Sequence, residues 1–185
     1  MARTPSVMAP LGRKAPYFRL IDTVSDSLLS LTEMKGKLGT LVMFICNHCP
    51  FVKHVNPAIV AISADYRPKG INLIAISSND IAQYPDDGPI EMKATATSCG
   101  YDFPYLFDED QEVARAYQAA CTPDFFLYDS TLHLVYRGQL DESRPGNGKN
   151  VTGQDMRHAL DALVTGQQVP TLQYPSIGCN IKWKK

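Results

Sequence analysis

The chain is 185 residues long and 44% hydrophobic, with 18 basic and 19 acidic side chains and a net charge of −1. That supplies one good core, and the near-neutral, mixed-sign charge excludes an electrostatic case for binding nucleic acid or an anionic lipid surface. The longest apolar run, 41–46, is far too short to span a bilayer, and the basic N-terminal stretch lacks an apolar segment, so neither export nor membrane insertion is expected.

The pattern predicts a single domain over 1–185, with an arm over 1–14 and a tail over 167–185. Short strands over 17–21 and 28–31 flank a polar turn and form an N-terminal hairpin, and a helical turn over 32–35 ends at Gly36. The unbroken apolar run 40–45 reads as a buried central strand. After Cys49, Val52, Val55, Ile59 and Ile62 recur at helical spacing, with Pro57 inside and Pro68 and Gly70 as the stop. A second buried strand over 71–76 leads into a loop over 77–89, whose Asn, Asp and Pro content argues against regular structure. Pro89 opens a helix through Met92 and Ala96, and a strand over 105–107 follows. Asp108 with Gln111 is the signature of a capping box for a helix through Val113 and Tyr117. Strands over 125–128 and 134–137 form a hairpin. Thr152 with Asp155 starts a last helix with the stripe Met156, Ala159, Leu160, Leu163 and Val164, closed by Gly166.

This order is α/β: a central mixed sheet flanked by helices. The strands over 40–45 and 71–76 are joined through a helix and should be parallel, so Cys46 and the loop from Ser77 emerge at one edge. The start of the strand at Phe125 and the return at 137–139 should meet them there.

Cys46 Asn47 His48 Cys49 stands at the end of the first buried strand, with two thiols one helical turn apart. A strand delivering such a pair to a helix start suits dithiol and disulfide exchange, because the helix N-terminus favours a thiolate. A zinc site needs a second Cys-x-x-Cys or a His pair, which the scattered His48, His54, His133 and His158 do not supply, so no metal or other cofactor is expected. Simple core filling suits Cys46 but not Cys49, which is followed by Pro50 where the chain turns into the helix. Five cysteines, an odd number in a chain with its own core, fit reduced thiols, and the cytoplasm is the expected location.

Four segments carry a family resemblance: Phe44 Ile45 Cys46 Asn47 His48 Cys49 Pro50, Cys121 Thr122 Pro123 Asp124 Phe125 Phe126, Arg137 Gly138 Gln139 Leu140 Asp141, and Ser176 Ile177 Gly178 Cys179 Asn180 Ile181 Lys182 Trp183. Together they resemble the peroxiredoxin-like, thiol-disulfide oxidoreductase group of thioredoxin-fold proteins with a Cys-Asn-His-Cys-Pro motif. The resemblance covers nearly all of the chain beyond about residue 10 and implies a thioredoxin-like fold. It also implies a cis peptide at Thr122 to Pro123 opposite the cysteines, leaving the Thr122 backbone to dock an extended substrate.

In that setting Cys46 is the expected nucleophile, as the more exposed thiol at the helix start, and Cys49 the resolving thiol. His48 would tune the pair, because a partly protonated imidazole favours thiolate over disulfide. The implied partners are a protein or small-molecule disulfide and a cellular dithiol reductant. Two rival readings remain. A peroxiredoxin-type thiol peroxidase resembles its relatives in a Pro-x-x-x-Thr/Ser-x-x-Cys motif, but counting back from Cys46 gives Met43 and Gly39, and from Cys49 gives Cys46 and Val42. A redox-gated binding module would instead use a rim of Asn79, Asp80, Arg137, Asp141 and Arg144. Cys99 reads as filler, whereas Cys121 and Cys179 are candidate extra thiols near the active edge.

Overall fold

The computed structural model describes residues 3–185, so the first two residues of the predicted arm lie outside the described residues. In chain order the elements are β1 (Arg3–Pro5), β2 (Arg19–Asp22), β3 (Leu28–Ser30), α1 (Leu31–Met34), β4 (Gly39–Phe44), α2 (Pro50–Tyr66), β5 (Ile71–Ser77), α3 (Pro89–Cys99) and β6 (Tyr105–Phe107). Then follow α4 (Glu112–Tyr117), β7 (Cys121–Thr122), β8 (Asp124–Asp129), β9 (Leu134–Arg137), α5 (Gln154–Val164) and β10 (Ile177–Asn180).

Seven strands form a mixed sheet in the order β3-β2-β6-β5-β4-β8-β9. β4 runs parallel to β5 and antiparallel to β8, and β5 runs parallel to β6. The N-terminal hairpin of β2 and β3 continues this sheet through the β2–β6 pairing. β4 is apolar at every position from Leu41 because both its faces are covered. Leu41, Met43 and Ile45 pack under α2, α3 and α5, while Val42 and Phe44 pack with α1 and α4 on the opposite face. All five of these residues are at most 1% exposed.

Two helix starts differ from the sequence pattern. Asp108 accepts from the N–H groups of Val113 and Ala114, but Gln111 does not close a capping box. Its backbone sits at φ +64°, and its side-chain amide donates to the carbonyls of Ser78 and Lys182. A reciprocal box forms instead at α1, between Ser30 and Glu33. α5 begins at Gln154, behind Gly153 at φ +67°, a left-handed position that glycine takes without a Cβ penalty. The loop over 77–89 contains one short 3₁₀ turn, Pro85–Asp87.

The tail is where sequence and structure differ most. Its strand β10 lies between β1 and β7 in a separate three-stranded sheet, with Cys179 opposite Thr122 and Arg3. Gly178 is needed there because a Cβ would stand 2.0 Å from the Thr122 carbonyl oxygen and 2.5 Å from its carbon. Neither backbone atom can yield. We expect Gly178→Ala to destabilise the protein by about 1–3 kcal/mol in chemical denaturation, as overpacking at rigid contacts does. Alkylation of Cys179 in the native protein should accelerate as β10 shifts off β7.

Candidate active site

β4 ends at Phe44, Cys46 follows two residues later, and Cys49 is the N-cap of α2, with Pro50 in the first turn. Proline is at ease there because the N–H it lacks would have no helical partner. Cys46 is 2% exposed and Cys49 0%, so both thiols are buried, Cys46 slightly less. The Thr122–Pro123 peptide is cis, and Thr122 faces both sulfurs. Its hydroxyl lies 3.4 Å from Cys46 Sγ, and its carbonyl oxygen 3.1 Å from Cys49 Sγ.

The loop over 77–89 closes over this pair through Asp87, which the sequence did not single out among the loop's acidic residues. One Asp87 oxygen accepts from the N–H groups of Asn47 and His48, at 2.8 and 3.2 Å. The other meets His48 Nδ1 at 2.6 Å and accepts from Asn79 Nδ2 at 2.8 Å. His48 also stacks on Tyr84. Asn47 spans the loop and the core, donating to the Asp86 carbonyl and accepting from the Tyr105 hydroxyl.

These contacts change the expected electrostatics. The His48 ring is paired with Asp87 through Nδ1, the same nitrogen that lies 4.0 Å from Cys46 Sγ, so its charge when protonated is compensated locally. The Asn47 and His48 N–H groups, which could have favoured a Cys46 thiolate, are occupied by Asp87. A hydrogen bond donated to Cys49, burial and the negative Asp87 together hold the Cys46 thiol well above its ordinary range, against the Thr122 hydroxyl. Cys49 moves the other way, down to about 4: Cys46, Cys179, Thr122 and the first-turn N–H of Val52 favour its anion despite burial. The nearby Thr122 carbonyl favours an S–H, but these donors outweigh it. The first proton lost therefore belongs to the pair, and the shifts favour the N-cap sulfur as the place for its charge. These directions favour the anion at Cys49 over Cys46, chiefly through the bond between the two sulfurs, with the first-turn N–H of Val52 adding to it.

Asp87→Asn should accordingly move the Cys46 titration back toward an ordinary thiol. We expect alkylation of Cys46 at pH 7 to rise about tenfold, the size of a shift of roughly one pKa unit. Iodoacetamide rates measured across pH with peptide mass mapping check this, and an unchanged profile would remove Asp87 from the account.

The tail completes the site. Cys179 Sγ lies 3.0 Å from Cys49 Sγ, and β10 pairs along Thr122. The backbone edge expected to dock substrate is thus covered by the protein's own strand. Burial, with the adjacent Cys49, raises the Cys179 thiol to about 12. Cys121 is also buried, its thiol 3.6 Å from the Pro123 carbonyl oxygen, and burial pushes its pKa up.

Most of the predicted rim is not a rim. Asn79, Asp80, Arg137 and Asp141 are buried and cannot present a contact surface. Asn79 links Asp87 to the Lys182 N–H, and the Asp80 backbone N–H donates to the Lys182 carbonyl, so both tie the loop to the tail. Arg137 is ion-paired with Asp124 at 3.2 Å. Asp141 accepts from Ser143, Thr152 and Gly153; burial opposes its charge, yet these bonds leave its pKa lowered. Arg144 is half-buried, donating to the carbonyls of Asp141 and Ser143 and to Gln139, and it lines a small crevice beside Pro123.

The open approach to the pair is a polar cleft of about 350 Å³, where Cys46 and His48 face Lys53, Glu91 and Cys99. Cys99, read as filler, belongs to this wall. A larger cavity of about 410 Å³ lies toward the other end of β5, around Asn72 and Leu73, and contains no thiol. Cys46 Sγ, His48 Nδ1 and an Asp87 oxygen come within 4.8 Å of one another, close enough to hold a cation. Each Asp87 oxygen, however, already serves two nitrogen partners, which leaves the trio poorly suited to a metal.

Known proteins place this arrangement in context. The chain is similar to an uncharacterized conserved protein from Geobacillus kaustophilus, with a TM-score of 0.98, 55% identity, and coverage of 100% of this chain and 97% of that one. It is also similar to the thiol-disulfide oxidoreductase ResA of Bacillus subtilis, 26% identical over 134 residues that cover 71% of this chain and 70% of the relative. The thioredoxin domain of a thiol-disulfide oxidoreductase from Bacteroides vulgatus superposes with a TM-score of 0.60 at 20% identity, covering 74% of this chain and 91% of that one. The fold is thioredoxin-like. The family model for AhpC/TSA matches residues 11–137, from before β2 to the end of β9 and through both Cys46–Cys49 and Thr122–Pro123, and the chain belongs to the AhpC/TSA family.

Proposed function

We propose that the protein is a thiol-disulfide oxidoreductase in which Cys46 and Cys49 exchange with a disulfide substrate. The observation that carries this reading is the cis Thr122–Pro123 peptide facing both sulfurs, its Thr122 hydroxyl 3.4 Å from Cys46 Sγ at the open cleft and its Thr122 carbonyl oxygen 3.1 Å from Cys49 Sγ at the helix N-cap. The Cys46 sulfur attacks one sulfur of the substrate disulfide while its proton passes to the Cys49 thiolate. A Cys46–substrate bond forms, the substrate disulfide breaks, and the first substrate thiolate leaves. Cys49 then gives up its proton and attacks Cys46, closing the Cys46–Cys49 bond and releasing the second substrate thiol. A dithiol reductant restores the pair.

His48 acts on this chemistry through Asp87, as a partner that fixes the charge beside Cys46. Thr122 positions both sulfurs, and Arg144 borders the crevice next to Pro123. The substrate enters by the cleft lined by Lys53 and Glu91, since β10 covers the Thr122 edge. No helix of the described residues is long and apolar enough to cross a membrane. A reducing compartment such as the cytoplasm is the proposed setting, where the pair would rest as the dithiol. Hydrogen peroxide should react slowly, because the raised Cys46 pKa leaves little thiolate facing the cleft.

Two measurements test the proposal together. Mass mapping of the oxidised protein should show a Cys46–Cys49 disulfide, and the protein should accelerate reduction of a protein disulfide by dithiothreitol. Fast, Cys46-dependent consumption of peroxide with no disulfide turnover would favour a peroxidase instead.

A further inference from the structure

Resting on the oxidoreductase reading, we propose that Cys179 is a third exchange thiol: it attacks Cys49 in the Cys46–Cys49 disulfide and returns Cys46 to the cleft as a thiol. Two independent features support it. The sulfurs of Cys49 and Cys179 are 3.0 Å apart in the buried interior. The strand bearing Cys179 is also held in register by pairing on both edges, with Cys179 opposite Arg3 on one side and Thr122 on the other. Gly178 lets that strand lie against the Thr122 carbonyl, so the thiol is delivered by fixed backbone and not by a loose end.

The tail strand thereby occupies the place an extended substrate would take beside Thr122, and it brings its own cysteine. In the exchange, the Cys179 sulfur bonds to Cys49 and the Cys46–Cys49 bond breaks. Cys46 leaves with the electron pair and takes up the proton lost by Cys179. There is no net oxidation, so no external oxidant enters this step. The disulfide form also suits it. Of the causes that hold the Cys179 thiol up, burial remains in the disulfide form, but the hydrogen bond and charge of Cys49 are removed, while Lys182 continues to favour the anion. Cys121, although near, has its thiol against the Pro123 carbonyl oxygen and is not the sulfur presented to Cys49.

The consequence is a chain able to hold one disulfide, a two-electron oxidation, in either of two places. With the bond at Cys46–Cys49 the cleft faces a disulfide. With the bond at Cys49–Cys179 the cleft faces a thiol.

The test is Cys46→Ser, oxidised with glutathione disulfide and mapped without reduction. In this variant Cys49 attacks the reagent and releases one glutathione, and Cys179 then displaces the second from Cys49. The expected product is a Cys49–Cys179 disulfide with two glutathiones released per protein, absent from Cys46→Ser/Cys179→Ser, where Cys49 keeps its glutathione. If Cys46→Ser stops at glutathionylated Cys49 with Cys179 unmodified, or pairs Cys49 with Cys121, the proposal is overturned. A folded far-UV spectrum and wild-type melting confirm that a negative result is chemical. Failure of the parent reading looks different: Cys179→Ser protein, in which no exchange onto the tail is possible, would then lack the Cys46–Cys49 disulfide after oxidation.

Discussion

Replacing Cys46 by Ser is expected to lower the reduction of a protein disulfide by about a hundredfold, because a serine hydroxyl is not a usable nucleophile in exchange and the wholly buried Cys49 meets a protein disulfide far more slowly than it meets glutathione disulfide on long incubation. Replacing Cys49 by Ser should stop the same reaction at a different point. Cys46 still reaches the substrate, but no second sulfur releases it, so the mixed disulfide accumulates and appears as a mass adduct on Cys46. The two variants therefore share a loss of turnover and differ in what remains attached. The electrostatics sharpen the comparison. In the proposed step Cys49, the sulfur whose anion is favoured, receives the Cys46 proton, so its loss should also slow that step near neutral pH. The rate of adduct formation in Cys49→Ser should climb as pH rises into the Cys46 titration, which burial and Asp87 keep high without Cys49. The reverse pattern, with adducts on Cys49 in a still active Cys46→Ser protein, would exchange the roles of the two sulfurs.

The parts of this site legible in the sequence are those carried by local pattern. The apolar run of β4, the Cys-x-x-Cys at its end and the Pro that opens α2 identify the thiol pair without any tertiary information, and the Thr122–Pro123 resemblance places the facing loop. What was not legible depends on long-range pairing. Asp87 is one of three acidic residues in its loop, and only the fold brings it 40 positions back to the Asn47 N–H. Its charge adds to the bond with Cys49 and to burial in holding the Cys46 thiol up, so the favoured anion falls on Cys49, the reverse of the expectation. β10 is similarly hidden: Ile177 to Asn180 has no alternation strong enough to announce a strand, and it exists through partners more than fifty residues away. Its pairing explains why the Thr122 edge is covered and why Cys179 is part of the site. Arg137 was read as a surface contact from its charge, but a guanidinium within reach of Asp124 can be wholly buried.

That buried pair sets the largest stability effect expected outside the thiols. Arg137 lies over the Phe126 ring at 4.0 Å and donates to the Tyr117 and Gln118 carbonyls as well as to Asp124. Asp124 also accepts from the Ala120 N–H, holding the segment that leads to Thr122. Asp124→Asn leaves a guanidinium that cannot discard its charge in a dry interior, and we expect a cost of about 3–5 kcal/mol. In a chain of this length that is a fall in Tm of about 6–20 °C. Arg137→Met should cost less, because the carboxyl left behind can take a proton. Burial already pushes Asp124 up to about 6 despite the opposing guanidinium. The sign follows from linkage. A carboxyl whose folded pKa exceeds its unfolded value of 3.8 favours the folded state at low pH, and that contribution is lost as pH rises through the folded value. Without Arg137 the folded value moves higher still, so Arg137→Met should lose more stability at pH 8 than at pH 5, while Asp124→Asn, with nothing to titrate there, should lack that dependence. Denaturant unfolding of both variants at the two pH values checks the asymmetry, and equal losses in the two proteins would mean that the carboxyl does not take up the proton.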